Sequence, residues 1–404
     1  MPQSALQIMT PDTQRHNEAT TRALRDNAPE FASEWLEGHH QGNAGPYNYL
    51  FDGAYSWNDL TDQSILYPTD EEIKCLDKVA SQLKRDVKEK FIRDSQGRPL
   101  DLNNYPLLDI GTGNISKLLP FIKYFSSNVV VVDISQLQLD IISNNFVERR
   151  KAAGREITVR PILSNFLEPD DYGKGPFFSI WGGLHFGNAI ANPLSDTPPI
   201  EHLLYRSRWV CNKTKNGVVL ISFNHCLDPD KNKRFYEGRE HEAFNLAFLD
   251  RMVSDCGFPQ DVRDCFEYEA ISTVWQKNRK PVASMVSRFM KVNKNVSTFE
   301  WRGKRFSFEK GERRLIECSV QTGTELMLHI GKSLGKVLRC WSRADGNIGL
   351  MLIDMADTEP ENIRPESFSI KAKDFQKLAK HDPSKPIFRN IPRLSDYDLL
   401  LNIK

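Results

Sequence analysis

At 404 residues the chain exceeds one average domain, so two lobes or one domain with large insertions are expected. Hydrophobic residues make up 40% and charged residues 26%, the ordinary balance of a folded chain that can bury a core. A net charge of +1, from 54 basic and 53 acidic residues, argues against a general nucleic-acid binder, which usually carries a basic stripe, and favours small-molecule recognition.

In chain order, residues 1–30 are polar and weakly periodic, a loose arm or a peripheral helix. An aromatic-rich stretch follows, from Pro46-Tyr47-Asn48-Tyr49-Leu50-Phe51 to Tyr67-Pro68-Thr69. From Asp70 to about Phe91, Ile73, Leu76, Val79, Ala80 and Leu83 recur at helical spacing. Thr69 is the expected N-cap, and Asp70, Glu71 and Glu72 lie where the helix dipole favours acids. Pro106–Ile110 then reads as a short buried strand, stopped by Gly111-Thr112-Gly113.

A helical segment over about 115–125 leads to a second strand, Val129–Asp133. Ile157–Leu163, Phe177–Trp181 and Gly217–Phe223 are further strands. Continuous apolar strands alternating with helices predict a parallel sheet covered on both faces. Residues 230 to about 315 break that rhythm with charged helices and antiparallel strands over Ala283–Val292 and Phe299–Phe308, before a strand over Arg313–Gln321. Leu326–Leu334 reads as a helix, and Val337–Trp341 with Gly349–Ile353 as a closing hairpin. The acidic, proline-containing segment after Met355 reads as a linker to a C-terminal appendage.

No apolar run approaches the ~20 residues of a membrane helix, so no membrane partner is expected. The seven cysteines are scattered without a C-x-x-C pair, which predicts reduced thiols. The nine histidines show no ligand spacing, so no metal is expected. The N-terminus lacks a basic region followed by an apolar one, and the expected compartment is the cytoplasm.

The most informative motif is L-L-D-I-G-T-G-N at 107–114, a strand-to-helix turn where glycine lets a ligand approach the backbone. Asp133 ends the next strand twenty residues after Gly113, placed to accept hydrogen bonds from ribose hydroxyls. A dinucleotide site would continue G-x-G-x-x-G, whereas this loop runs G-T-G-N-I-S. Without the third glycine the motif favours S-adenosylmethionine, which has no pyrophosphate to hold. Gly111, Thr112, Gly113 and Asp133 are therefore the expected cofactor contacts. Ser164-Asn165-Phe166, after the strand Ile157–Leu163, resembles the place where class I methyltransferases contact adenine, which implies Asn165 on the adenine edge and Phe166 on its ring.

Four stretches give the chain a more specific resemblance. Y-L-F-D-G-A-Y-S-W-N-D-L-T (49–61) with L-Y-P-T-D-E-E is similar to the pattern Y-D-x-x-G-S-x-L-F-x-x-I-T…Y-Y-P-T-R-x-E. W-G-G-L-H-F-G-N (181–188) is similar to F-L-G-S-T-I-G-N. D-P-D-K-N-K-R-F-Y-E-G with A-F-N-L-A-F-L (228–249) and F-E-K-G-E-R-R-L-I-E-C-S also have counterparts, in the same order. From about Tyr47 to Ile353 the chain thus resembles the histidine-specific methyltransferases, whose best-known member trimethylates the α-amine of histidine.

That resemblance implies a class I Rossmann-like α/β core with a second α+β substrate lobe. The core would comprise residues 70–228 and 319–355, the substrate lobe 31–69 and 229–318, with 1–30 and 356–404 as an arm and an appendage. The cofactor would be S-adenosylmethionine, leaving as S-adenosylhomocysteine. Asn188 and Tyr236 would hold the substrate carboxylate, and Tyr49 would lie by the amine, making Tyr49 and Asn188 the expected catalytic pair. Tyr67, Gly183 and His185 would line the site, and Met285 would pack on the substrate side chain. Glu317 and Ser319, two apart on a strand and so on one side of it, would read that side chain's far end.

The chain departs from the family at Leu66-Tyr67, which replaces a tyrosine pair, at Ser164-Asn165-Phe166 in place of G-D-F, and at Leu184-His185-Phe186 in place of S-T-I. The implied substrate widens accordingly to a histidine-like amino acid or an amino-acid-derived amine. The alternatives are a methyltransferase acting on a side-chain nitrogen, such as an arginine guanidinium, and a non-catalytic cofactor-binding partner.

Overall fold

The computed structural model describes residues 28–38, 44, 48, 67–103, 105–111, 115–133, 135–153, 157–164, 172, 175–181, 217–277, 280–342 and 347–355. Helix α1 spans Ala28–Leu36 and α2 spans Tyr67–Lys88. Leu76, Val79, Ala80, Leu83 and Val87 give α2 one buried stripe. The helix starts two residues before Thr69, so Thr69 lies inside the first turn and does not cap it. Pro68 is the reason: at the second helical position its missing N–H costs nothing and its fixed φ favours the turn.

Strand β1 (Leu107–Ile110) passes through a 3₁₀ turn, Ile115–Lys117, into α3 (Leu119–Tyr124), so the single helix expected there is two pieces. Then come β2 (Asn128–Asp133), α4 (Gln136–Ala153), β3 (Thr158–Leu163), β4 (Phe178–Trp181) and β5 (Val218–Asn224). Every residue of β1 and β5 is buried, as a strand covered on both faces requires.

The next part of the chain holds α5 (Pro229–Tyr236), α6 (Arg239–Ser254) and α7 (Asp261–Cys265). Strands β6 (Phe266–Lys277), β7 (Lys280–Val292), β8 (Val296–Trp301), β9 (Lys304–Glu309) and β10 (Arg313–Thr322) follow. Helix α8 (Thr324–Leu334) leads to the hairpin β11 (Lys336–Ser342) and β12 (Ile348–Asp354).

The stretch Phe299–Phe308 is a hairpin and not one strand, because Arg302 and Gly303 take φ of 46° and 78° and reverse the chain. Positive φ at both central residues is the tight turn that matches strand twist, normally signalled by Asn-Gly. Strand β6 has no counterpart in the sequence reading: its charges at Glu267 and Glu269 obscure the apolar alternation.

The seven-stranded sheet has the order β11-β12-β5-β4-β1-β2-β3. Strands β1 to β5 are parallel, and β12 runs antiparallel to both β5 and β11. This is an α/β, Rossmann-like core. On one face Leu107, Val131, Ile180 and Leu220 pack with the buried stripe of α2 and with Phe121 of α3. On the other, Leu108, Val130, Val219, Ile221 and Phe223 pack with Met285, Phe289, Leu315 and Val320 of a second sheet, ordered β10-β7-β6. Strand β10 runs unbroken through residues 318 and 319, where the sequence suggests a change of lobe. A third core joins Trp35 and Leu36 of α1, Phe248 and Met252 of α6, and Phe299, Trp301, Phe306 and Phe308 of the β8–β9 hairpin.

Candidate active site

The carboxyl ends of β1, β2 and β3 are stitched together by backbone. The Gly111 N–H donates to Val132 O at 2.8 Å, and the Ser164 N–H to Asp133 O at 2.9 Å. Gly111 takes φ of +65°, a left-handed conformation that glycine adopts without the Cβ penalty, so β1 turns sharply there. Asp133 ends β2 with its Oδ1 held by the Ser135 N–H at 2.9 Å, which fixes the carboxylate at the rim of the sheet. A left-handed glycine after β1 beside a fixed acid after β2 fits an adenosine cofactor at the strand ends. Thr112, Gly113, Asn165 and Phe166 lie outside the described residues.

Beneath that rim the sheet face covered by α2 turns from apolar to charged. Asp109 of β1 and Lys117 of the 3₁₀ turn form an ion pair of 2.8 Å with both side chains fully enclosed. Glu72 of α2, also buried, accepts a hydrogen bond from the Ser222 hydroxyl of β5. Burial pushes the Glu72 carboxyl up to about 7, against the opposing effects of Ser222 and Lys117. In the sequence these acids read as a strand residue and a dipole partner; only their enclosure distinguishes them.

A second polar group lies on the β10-β7-β6 sheet. Its frame begins at Asp228, which caps α5 by accepting from the Asp230 and Lys231 N–H groups at 3.0 and 3.1 Å, with Pro229 opening the helix. Tyr236 ends that helix, buried, and its carbonyl accepts from the Tyr268 hydroxyl at 2.8 Å. The Arg288 guanidinium of β7 lies 5.0 Å from the Tyr236 ring centre. Arg288 Nη2 is 2.6 Å from Glu317 Oε2 and donates to Ser319 Oγ at 3.2 Å.

The register explains the meeting. Glu317 pairs directly with Arg288 across the strands, just after an irregularity between Leu315 and Glu317 that turns β10. A bulge of this kind re-aims the side chains that follow it. Burial raises the Tyr236 phenol above its ordinary range, opposed by Arg288, so the phenol stays neutral.

The fold thus brings Tyr236, Glu317 and Ser319 around Arg288, a residue that the sequence reading did not single out. Its signal was the one charge within the mostly apolar stretch Ala283–Met290. Met285 is not part of this group. The two-residue period of β7 points it to the opposite face, into the core with Ile221 and Phe223. Tyr67 is the first residue of α2, and Tyr49, Gly183, His185 and Asn188 lie outside the described residues. Among the described residues no group of three or more His, Cys, Asp or Glu could hold a metal ion, and no helix is long and apolar enough to cross a membrane.

The chain is similar in structure to an S-adenosylmethionine-dependent methyltransferase from Clostridium acetobutylicum ATCC 824, with 12% identity, a TM-score of 0.32, and 68% of this chain and 90% of that one covered. An amino pentose methyltransferase from Micromonospora echinaspora shares 10% identity at a TM-score of 0.28, over 69% of this chain and 90% of its own. Magnesium protoporphyrin IX methyltransferase from Synechocystis PCC 6803 shares 13% at 0.28, over 55% and 84%. No curated protein matches the chain. The sequence model described as "Histidine-specific methyltransferase, SAM-dependent" matches residues 36–355, the greater part of the chain. With that match added to the seven-stranded core and its glycine turn, the chain belongs to the histidine-specific methyltransferase family and is an S-adenosylmethionine-dependent enzyme acting on a small molecule.

Proposed function

We propose that the enzyme methylates the α-amine of a free amino acid with a histidine-like side chain, or of an amine derived from one. The observation that carries this reading is the buried group of Tyr236, Arg288, Glu317 and Ser319. A neutral phenol donates well to a substrate carboxylate, and a carboxylate beside a hydroxyl suits an N–H-bearing ring. The same group disfavours the arginine alternative. Glu317 already faces the Arg288 guanidinium, and a second guanidinium would bring like charges together in a buried place.

In this reading Asn188 works with Tyr236 on the carboxylate, while Tyr49, Tyr67, Gly183 and His185 surround the amine. Asp133 and the 111–113 turn hold the cofactor, and Asn165 and Phe166 hold its adenine. The site lies between a core lobe and a substrate lobe, in a cytoplasmic enzyme. The cofactor supplies an electrophilic methyl on a sulfonium. The protein aligns the amine in line with that methyl, excludes water, and receives the amine's proton at Tyr49 or at a water Tyr49 holds.

The test is mass spectrometry of purified protein incubated with S-adenosylmethionine and a pool of amino acids and their amines. A product whose fragments place the methyl on the α-nitrogen, lost in Glu317→Ala with cofactor binding unchanged, supports the reading. Methylation of a side-chain nitrogen instead would overturn it.

A further inference from the structure

The charged group beneath the cofactor rim has a role that does not depend on which amine is methylated. Strand alternation puts Val129, Val131 and Asp133 of β2, Asp109 of β1, and Leu220 and Ser222 of β5 on the face that α2 covers. Toward the carboxyl ends this face passes from aliphatic to Asp109, Asp133 and Ser222, and α2 contributes Glu72 at the same level. Asp109 lies two residues before the glycine turn and Lys117 six residues after Gly111, so the pair brackets the loop.

Among the described residues, Asp109, Lys117 and the Ser222 hydroxyl act on Glu72 from β1, the 3₁₀ turn and β5. Asp109 and Lys117 cancel one another's charge. Asp133 adds its own carboxylate at the rim, and the change in the group's charge rests on Glu72, which is neutral when protonated and carries one negative charge when ionised.

The cofactor and its product differ by one charge. S-adenosylmethionine carries a sulfonium, an ammonium and a carboxylate, and S-adenosylhomocysteine lacks the sulfonium. We infer that Glu72, held by Ser222 behind the Asp109–Lys117 pair, sets the enzyme's preference for the cationic cofactor over the neutral product. Ionised Glu72 adds a negative charge under the rim to that of Asp133, which favours the sulfonium and helps release the product. Protonated Glu72 removes that discrimination. Because its carboxyl titrates near 7, the change falls in the ordinary working range of pH. Cofactor binding then releases part of a proton near neutrality, and product binding does not.

The test is calorimetric binding of S-adenosylmethionine and S-adenosylhomocysteine to the whole protein from pH 6 to 8.5, without substrate. Preference for the cofactor is expected to rise roughly tenfold across that range in the wild type, the factor that one unit of pKa displacement represents. In Glu72→Gln the rise is lost, apart from any slope due to the ligands' own α-amines, which both proteins share. Ser222→Ala keeps the titrating group and removes a bond that lowers its pKa, so the rise should persist with its midpoint at higher pH. This second variant decides the matter if Glu72→Gln does not fold. Binding to wild type at pH 7 in two buffers of different ionisation enthalpy should show proton release with the cofactor alone. A wild-type preference independent of pH, a rise that survives Glu72→Gln, or a midpoint unmoved by Ser222→Ala would each overturn the inference.

Discussion

Arg288 and Glu317 stand directly opposite one another on β7 and β10, 2.6 Å apart with side chains 2% and 4% exposed. Two charges so enclosed hold each other in place, and neither tolerates loss of the other. Arg288→Met or Glu317→Leu alone should each lower stability by about 3–5 kcal/mol, the usual result of stranding one buried charge. The double variant should recover most of that loss, since an apolar pair of similar volume leaves no charge uncompensated. Denaturant midpoints of the three proteins check this; additive losses would contradict it.

Glu72 makes stability depend on pH with a definite sign. Its carboxyl titrates near 7 in the folded chain against an ordinary value of 4.5. Between those values the unfolded chain gives up a proton that the folded chain keeps. The stabilisation is full below pH 4.5 and lost as pH rises through 7, with a total of about 3 kcal/mol at 1.36 kcal/mol per unit. Glu72→Gln should flatten the fall in melting temperature between pH 5 and 7.5 relative to wild type.

Trp35 ties α1 to the strand that carries Glu317. Its indole N–H donates to Leu315 O at 2.9 Å, and its ring meets Phe248 edge-on at 5.0 Å. Trp35→Phe removes the hydrogen bond and keeps most of the packing, so a cost of about 1–2 kcal/mol is expected. Trp35→Ala adds a cavity and should cost about 3–5 kcal/mol. A Trp35→Phe protein as stable as wild type in thermal or chemical unfolding would show that the bond to Leu315 contributes nothing.

Two glycines separate backbone crowding from side-chain crowding. A Cβ on Gly217 would fall 1.9 Å from Phe177 O, a backbone atom just before β4 that accepts from the Val218 N–H of β5 and cannot move without breaking that bond. On Gly331 it would meet Met351 Sδ at 2.4 Å and Cε at 2.6 Å, the far end of a flexible chain. Gly331→Ala also gains about 1 kcal/mol of helix propensity, which offsets part of the repacking. Gly217→Ala should therefore be clearly the more destabilising in a comparison of melting temperatures, by about 2 kcal/mol or more.

Asp133→Ala should weaken S-adenosylmethionine by roughly tenfold to a hundredfold, the loss of one charged hydrogen-bonding group at 1.5–3 kcal/mol. Calorimetric binding reads this directly, and an unchanged affinity would remove Asp133 from the cofactor site.

The periodic parts of this protein were legible in its residues alone. The apolar runs at 129–132 and 218–221, and the apolar run at 107–110 interrupted only by Asp109, read as strands buried on both faces, and the first two in chain order carry the glycine turn and Asp133 at their ends. The family resemblance, from about Tyr47 to Ile353, rests on four short motifs, and the family match runs over residues 36–355. What lay beyond them depended on partners distant in the chain. Arg288 is an ordinary charge until β7 pairs with β10 and an extra residue in β10 turns Glu317 onto it. Met285 shares its strand yet faces the other way, because one step along a strand reverses the side. Glu72 reads as a helix-dipole acid until Ser222, 150 residues later, is brought against it where both are buried. Local order follows from the period and stiffness of the chain itself. Burial, charge state and pairing follow from which surfaces the tertiary structure closes together.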